Sequence, residues 1–274
     1  MLACYGVWLA DKGYKPSTVA TRLAAFGWWS NLRGYGDPSK EFLVRRMLKG
    51  LRKGGPPKKQ ATPIRYGLLK RPVKSLPDFL PPYEAVMYKA VFLLAYFASL
   101  RISEYTGPSL NGHCLRLKDV GFQVVEGTRG LVPVFESYRA SKRPAKLYVP
   151  QAGDPVCCPV SAIEQYLRVR PRGAGPFFVR DSSRKLTPYG VTKVLRETVK
   201  RQGLPVEEYT PHAFRAGRTT DLVDMGLQDS IIREPGRWNS KAYLEYVRFD
   251  LFRLPGGAPQ DSPPGNEKGA WSRS

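Results

Sequence analysis

The sequence predicts an α+β, mainly helical fold: a small all-helical domain, then a larger mixed domain carrying a small antiparallel sheet. Three observations predict it. Apolar residues recur at helical spacing along much of the 274-residue chain. Three short apolar stretches with turn residues between them, Phe122 to Val125, Leu131 to Phe135 and Leu147 to Val149, suit a three-stranded antiparallel patch. A Gly-Gly-Pro-Pro-Lys-Lys run at 54–59 reads as an extended linker. The expected organisation is therefore a helical domain over 1–60, a mixed domain over 61–254 and a tail over 255–274. The tail is rich in Pro, Gly and Ser with balanced charge, and no fixed structure is expected of it.

Taken in order, Cys4 to Leu9 resembles the end of a helix, an abrupt start that suggests a first domain truncated at its amino terminus. A second helix begins at Lys15-Pro16-Ser17-Thr18, with Ser17 as N-cap and Val19, Leu23, Phe26 and Trp29 as its apolar stripe. A basic helix is expected over Pro38 to Lys53. Tyr83 to Leu100 reads as a long buried helix ending at Arg101, and further helices are expected at Val160 to Arg170, Pro188 to Arg201, Pro211 to Met225, Asp229 to Glu234 and Lys241 to Leu251. The longest apolar run, Ala90 to Ala98, is less than half a membrane span. The amino terminus lacks a signal-peptide pattern, and no membrane association is expected.

The charge is one-sided: 44 Lys and Arg against 23 Asp and Glu give a formal +21. With 42% hydrophobic residues the chain reads as a folded basic protein for which a nucleic-acid partner leads, the bland rival being a merely soluble, positively charged surface. Between Lys40 and Lys74 twelve basic residues face a single acid, Glu41, which puts over half of the net charge beside the linker. Arg45, Arg46, Lys49, Arg52, Lys53, Lys58 and Lys59 are the candidate backbone-binding residues of that run. The four cysteines, Cys4, Cys114, Cys157 and Cys158, are too sparse for a disulfide framework and read as free thiols in a reducing compartment. The sequence has no phosphate-binding P-loop, no C-x-x-C and no H-E-x-x-H. With His113 and His212 its only histidines, a His-rich metal cage is excluded.

The informative segment is Thr210 to Asp250. His212 and Arg215 lie three apart at the start of a helix, so both project from one face near the positive end of its dipole, a good place for a phosphate. Upstream, Arg101 and Glu104 lie three apart in Leu100-Arg101-Ile102-Ser103-Glu104, and Lys142 sits in a turn between expected strands. Downstream come Gly236-Arg237-Trp238 and Tyr246. Singly, each has a bland reading: a helix-end arginine, a solvated lysine, core aromatics at helical spacing. Jointly, the order Arg, Lys, His-x-x-Arg, Trp, Tyr resembles the catalytic set of the tyrosine recombinases, the phage-integrase family. The likeness covers nearly all of residues 1–250, and the wording LRISE-x-T and GRW-x-S-x-A-Y-L-x-Y-V-R is most similar to recombinases of DIRS-type retrotransposons.

The resemblance implies a core DNA-binding domain ahead of a catalytic domain, together clamping duplex DNA. It implies that Arg101 and Arg215 neutralise the scissile phosphate, with His212 and Trp238 donating N–H groups to it. Lys142 would protonate the leaving 5′-oxygen, with Lys146 its competitor. Glu104 would orient Arg101 or its neighbours, and Tyr246 would attack and store the bond as a phosphotyrosine. Tyr243, three residues earlier, is the rival nucleophile, and the Tyr-Val-Arg wording favours Tyr246. No cofactor, metal or ATP is implied. The partners implied are double-stranded DNA and one or three further copies of the chain, as homodimer or homotetramer, in the nucleus if the host is eukaryotic. A recombinase remnant that grips DNA without cutting it is the alternative.

Overall fold

The computed structural model describes residues 1–54, 61–107, 114–136, 144–180 and 184–247. The fold is the mainly helical α+β one, with a small antiparallel sheet, and the chain divides into two compact units, Met1–Lys59 and Gln60–Ser274. The expected tail, Lys58, Lys59, His113 and Lys142 lie outside the described residues.

The first unit contains α1 (Leu2–Asp11), α2 (Pro16–Leu32) and α3 (Phe42–Gly54). Its core is Leu9, Val19, Leu23 and Val44, backed by Leu2, Met47, Leu48 and Leu51. Residues 4–9 are the body of a ten-residue helix rather than the end of one. Three expectations for this unit need correction. The α2 helix starts one residue before Ser17, with Lys15 at the N-cap and no side-chain cap; Pro16, whose φ is preset for a helix, opens it instead. Val19 and Leu23 are buried, but Phe26 and Trp29 are 46% and 48% exposed. The buried line continues through Gly27 and Ser30 because the Asp37–Ser39 turn closes on Gly27, where an added Cβ would lie 2.1 Å from Asp37 Oδ1. The basic helix is broken at its start: Asp37 accepts from Ser39 N–H at 3.0 Å and winds Pro38–Lys40 into a 3₁₀ turn, and the α-helix begins only at Phe42.

The second unit is organised around α5 (Pro82–Phe97), whose residues from Ala90 to Phe97 are all buried, as an all-round apolar helix must be. It packs against α7 (Pro159–Val169) and α9 (His212–Asp224). Around them lie α4 (Tyr66–Ser75), α6 (Ile102–Tyr105), α8 (Pro188–Arg201) and α10 (Asp229–Gly236). The α4 helix escaped the sequence reading because Lys70, Arg71, Pro72 and Lys74 interrupt its apolar stripe of Tyr66, Leu69 and Val73. The last expected helix is a 3₁₀ turn over Lys241–Glu245, with residues 248–251 outside the described chain.

The strands β1 (Val120–Val125) and β2 (Thr128–Phe135) form a hairpin whose two turn residues, Glu126 and Gly127, both have positive φ, the geometry that matches strand twist. The third expected strand is split into β3 (Ala145–Lys146), paired with Val134 and Phe135, and β4 (Val149–Pro150), paired with Gly130 and Leu131. Between them the Tyr148 ring crosses Gly130, where a Cβ would sit 2.3 Å from the ring. Among the described residues no helix is long and apolar enough to cross a membrane.

Candidate active site

The site forms where the exit of α5, α6, the first turns of α9 and the exit of α10 converge. The α5 helix ends at Phe97 and the chain leaves it through Ser99 at φ 47°. Arg101 is therefore not the end of the long helix but the N-cap of α6. Its backbone N–H donates to Glu104 Oε2 at 2.7 Å, and its Nη1 donates to Glu104 Oε1 at 3.2 Å. Arg101 and Glu104, three apart, thus form only the carboxylate half of a capping box, since the guanidinium has no acceptor and Glu104 N–H donates instead to the Arg101 backbone carbonyl.

On α9, His212 is exposed while Arg215 is fully buried. A buried guanidinium is costly unless its donors are used. Arg215 Nη1 donates to the Ser99 carbonyl, Nη2 donates to the Gly236 carbonyl at 2.8 Å, and Nε has no protein partner among the described residues. Arg215 thereby ties the α5 exit to the α10 exit. Burial first, and the positive charge of Arg101 second, lower its pKa to about 9, which leaves it cationic at neutral pH. Although the residue keeps a solvent-facing surface, the pKa of the His212 imidazole is also lowered, first by partial desolvation and then by the charges of Arg215 and Arg101, which favours the neutral ring at pH 7 with one N–H to donate.

The α10 helix delivers Trp238. Arg237 N–H donates to the Glu234 carbonyl at 2.9 Å and Trp238 N–H to the Arg233 carbonyl at 3.1 Å, a Schellman cap with Arg237 in the left-handed region at φ 54°. A residue with a Cβ there costs about 1 kcal/mol relative to glycine. Gly236 must be glycine, since a Cβ would meet the Trp238 ring at 1.8 Å. The half-buried Trp238 ring lies 4.1 Å from the Arg215 guanidinium carbon, and the Tyr246 ring lies 5.2 Å from it. Tyr246 is also 5.5 Å from Trp238 and 6.4 Å from His212, ring to ring.

The two tyrosines differ. Tyr243 is buried with Leu222, Ile232 and Val247, and its hydroxyl donates to Asp229, a hydrogen bond that raises its pKa and keeps it protonated. Tyr246 is half-buried, facing Arg215, Trp238 and His212. Lys146, the rival acid, is exposed and borders a cavity of about 350 Å³ with Arg233, Glu234, Arg237, Trp238 and Asn239.

Two residues of this region were not singled out in the sequence. Arg237 is buried, its Nη2 donates to Glu104 Oε2 at 2.5 Å, and its guanidinium carbon lies 4.3 Å from the Phe135 ring centre. Asp221 on α9 accepts from Arg65 Nε at 2.7 Å, Tyr66 N–H at 2.8 Å and the Tyr96 hydroxyl, which fixes α9 against the segment entering α4. Gly217 allows that approach, because a Cβ would fall 1.8 Å from the Ile64 carbonyl. The only sequence signal for Asp221 was a carboxylate within a stretch of buried helix.

In the first unit, Arg45, Arg46, Lys49 and Arg52 line a groove of about 780 Å³ together with Lys40 and Phe42, and Lys53 is exposed on the next turn. Val44, Met47, Leu48 and Leu51 turn to the core, so one helix separates apolar and cationic faces.

A family model described as the phage integrase family matches residues 68–247, and the chain belongs to that family. Solved structures of similar fold include the XerH site-specific recombinase bound to palindromic difH substrate in a post-cleavage complex (TM-score 0.55, 15% identity, 72% of this chain and 51% of that one). They also include the Tn1549 transposon integrase with circular intermediate DNA (0.57, 14%, 91% and 80%) and a lambda integrase dimer bound to a COC′ core site (0.60, 12%, 92% and 65%). At these identities the likeness is one of fold, and the chain spans about half the length of the XerH protein, at 51%. No curated protein sequence matches the chain.

Proposed function

We propose that this phage-integrase-family chain is a site-specific DNA recombinase that cuts and rejoins strands through a 3′-phosphotyrosine on Tyr246. The observation that carries the reading is the meeting of Tyr246, Arg215, Trp238 and His212, with ring and guanidinium centres 4.1–6.4 Å apart. Tyr246 Oη gives up its proton to solvent and attacks the scissile phosphorus; the P–O5′ bond breaks and the leaving 5′-oxygen takes a proton from Lys142. Arg101 and Arg215 offset the charge that develops on the phosphate oxygens, and the pre-set carbonyl bonds of Arg215 spare it reorganisation at that moment. His212, neutral, and Trp238 donate N–H groups to the same oxygens. A 5′-hydroxyl from a second duplex then attacks the phosphotyrosine and returns its proton to Lys142; the P–Oη bond breaks and Tyr246 regains a proton from solvent, so the bond energy is conserved without ATP or a metal.

The basic face of α3 is the proposed grip on the duplex backbone, through Arg45, Arg46, Lys49, Arg52 and Lys53, with Lys58 and Lys59 continuing it. Residues 1–60 would then act as the core DNA-binding domain and 61–254 as the catalytic domain, working as a homodimer or homotetramer on paired sites. The GRW-x-S-x-A-Y-L-x-Y-V-R wording supports an origin in a mobile element of the DIRS type, with action in the nucleus of a eukaryotic host. The test is a nicked suicide duplex carrying termini of the encoding element. Wild type and Tyr243→Phe are expected to form a covalent adduct and Tyr246→Phe none, a loss of at least about 10⁴-fold. An adduct that survives Tyr246→Phe would sink the assignment.

A further inference from the structure

Of the three non-glycine residues at positive φ among those described, two, Ser99 and Arg237, flank Arg215. Ser99 lends it a carbonyl. Arg237 has a different relation to the site: it spends an unfavourable backbone conformation to bring a third guanidinium to the one carboxylate that Arg101 also uses.

Left to itself, a carboxylate beside an arginine takes it in a two-toothed fork. Glu104 does not hold Arg101 in this way. Its Oε2 is taken by Arg237 Nη2 at 2.5 Å and by the Arg101 backbone N–H at 2.7 Å, and only Oε1 reaches the Arg101 side chain, at 3.2 Å. The Arg237 side chain is 3% exposed against 16% for Arg101, and it is stacked on Phe135. Arg237 is thus engaged by Glu104 and Phe135, while Arg101 is the more open of the two and is anchored at one side-chain nitrogen with its other donors uncommitted to Glu104.

We propose that Arg237 is a positioning residue for strand cleavage: as counter-ion of Glu104 it leaves the Arg101 guanidinium, charge and donors, to the scissile phosphate. The inference rests on the strand-cleaving reading of the site. It assigns no contact with DNA to Arg237 itself. Without Arg237, Glu104 closes on Arg101, neutralises it and turns its N–H groups inward.

Glycine is the substitution that endangers the fold least, because the Schellman cap favours it. Single-turnover cleavage of the suicide duplex is compared in wild type, Arg237→Gly, Arg237→Lys and the double variant Arg237→Gly/Glu104→Gln. In parallel, binding of inorganic phosphate is read from the ¹⁹F signal of 5-fluorotryptophan at Trp238, assigned by Trp238→Phe. Arg237→Gly is expected to lower the cleavage rate about 10- to 100-fold, and to weaken phosphate binding, at unchanged duplex affinity. Arg237→Lys recovers part of the rate. The double variant, in which the competing carboxylate has lost its charge, recovers at least about tenfold over Arg237→Gly. Cleavage by Arg237→Gly at the wild-type rate, or no recovery in the double variant, overturns the inference and leaves the strand-cleaving reading intact. If wild type forms no adduct but binds phosphate in an Arg237-dependent way, the cleaving chemistry fails and the role of Arg237 toward Arg101 stands. If wild type does neither, both fall.

Discussion

The arginines of α3 and the arginines of the candidate site carry the same charge in opposite settings. Arg45, Arg46 and Arg52 stand on an exposed helix face among other cations, and nothing but helix spacing relates them. Arg215 is fully buried and Arg237 nearly so, and each is oriented by named partners: the carbonyls of Ser99 and Gly236 for one, Glu104 for the other. Exposed cations act through a screened field and tolerate exchange of one for another. Buried ones act through direction, because in a low-dielectric setting each unmatched donor is costly and each matched one holds its place. The contrast suggests that one set of arginines supplies affinity and the other geometry.

The sharpest way to break that division is Arg215→Lys. Lysine keeps the charge but cannot span the two carbonyls and stack under Trp238. Cleavage is expected to fall about 10²- to 10³-fold while duplex affinity stays within about twofold of wild type. A matching loss of affinity would show that Arg215 is part of the grip. The converse test is the triple variant Arg45→Gln, Lys49→Gln, Arg52→Gln. Affinity should drop and the slope of log K against log salt should flatten by about 0.9 per lost phosphate contact, with the cleavage rate at saturating DNA unchanged. A slope equal to that of wild type would remove the α3 face from the interface.

The smallest expected effect is on His212. The folded chain holds its imidazole neutral where an unfolded histidine takes a proton, so its NMR titration should have a midpoint below 6.5. The sign for stability follows. Between that midpoint and about 6.5 the unfolded state binds more protons, so this contribution rises with pH through the window and is lost as pH falls through it. A midpoint above 6.5 would mean that the ring is neither desolvated nor faced by the cations of Arg215 and Arg101. With two histidines in the chain, His212→Gln assigns the signal.

Much of this was legible before any coordinates. Helical spacing located α5, α7, α8, α9 and α10 to within a few residues, and the two apolar stretches at 122–125 and 131–135 with turn residues between them located the hairpin. Where the reading failed, the deciding contact was distant in sequence or hidden by charge. Phe26 and Trp29 lie on the expected stripe but face outward because a turn eleven residues beyond Phe26, at Asp37, occupies the side where Gly27 admits it. Arg101 looked like a helix end because nothing local announces that Ser99 will take a positive φ and end the helix before it. Arg237 stood in full view within GRW, yet its partner Glu104 lies 133 residues away.

By itself the sequence determined the fold class, the family wording and the excess of positive charge, since composition, periodicity and residue order are properties of the chain read locally. Only the tertiary structure decided which cations are solvated and which are held, which of Tyr243 and Tyr246 keeps its hydroxyl occupied, and which guanidinium Glu104 serves. The physical reason is that burial and hydrogen-bond direction come from segments that meet in space. The same arginine is a screened surface charge or a fixed donor according to what the fold brings against it.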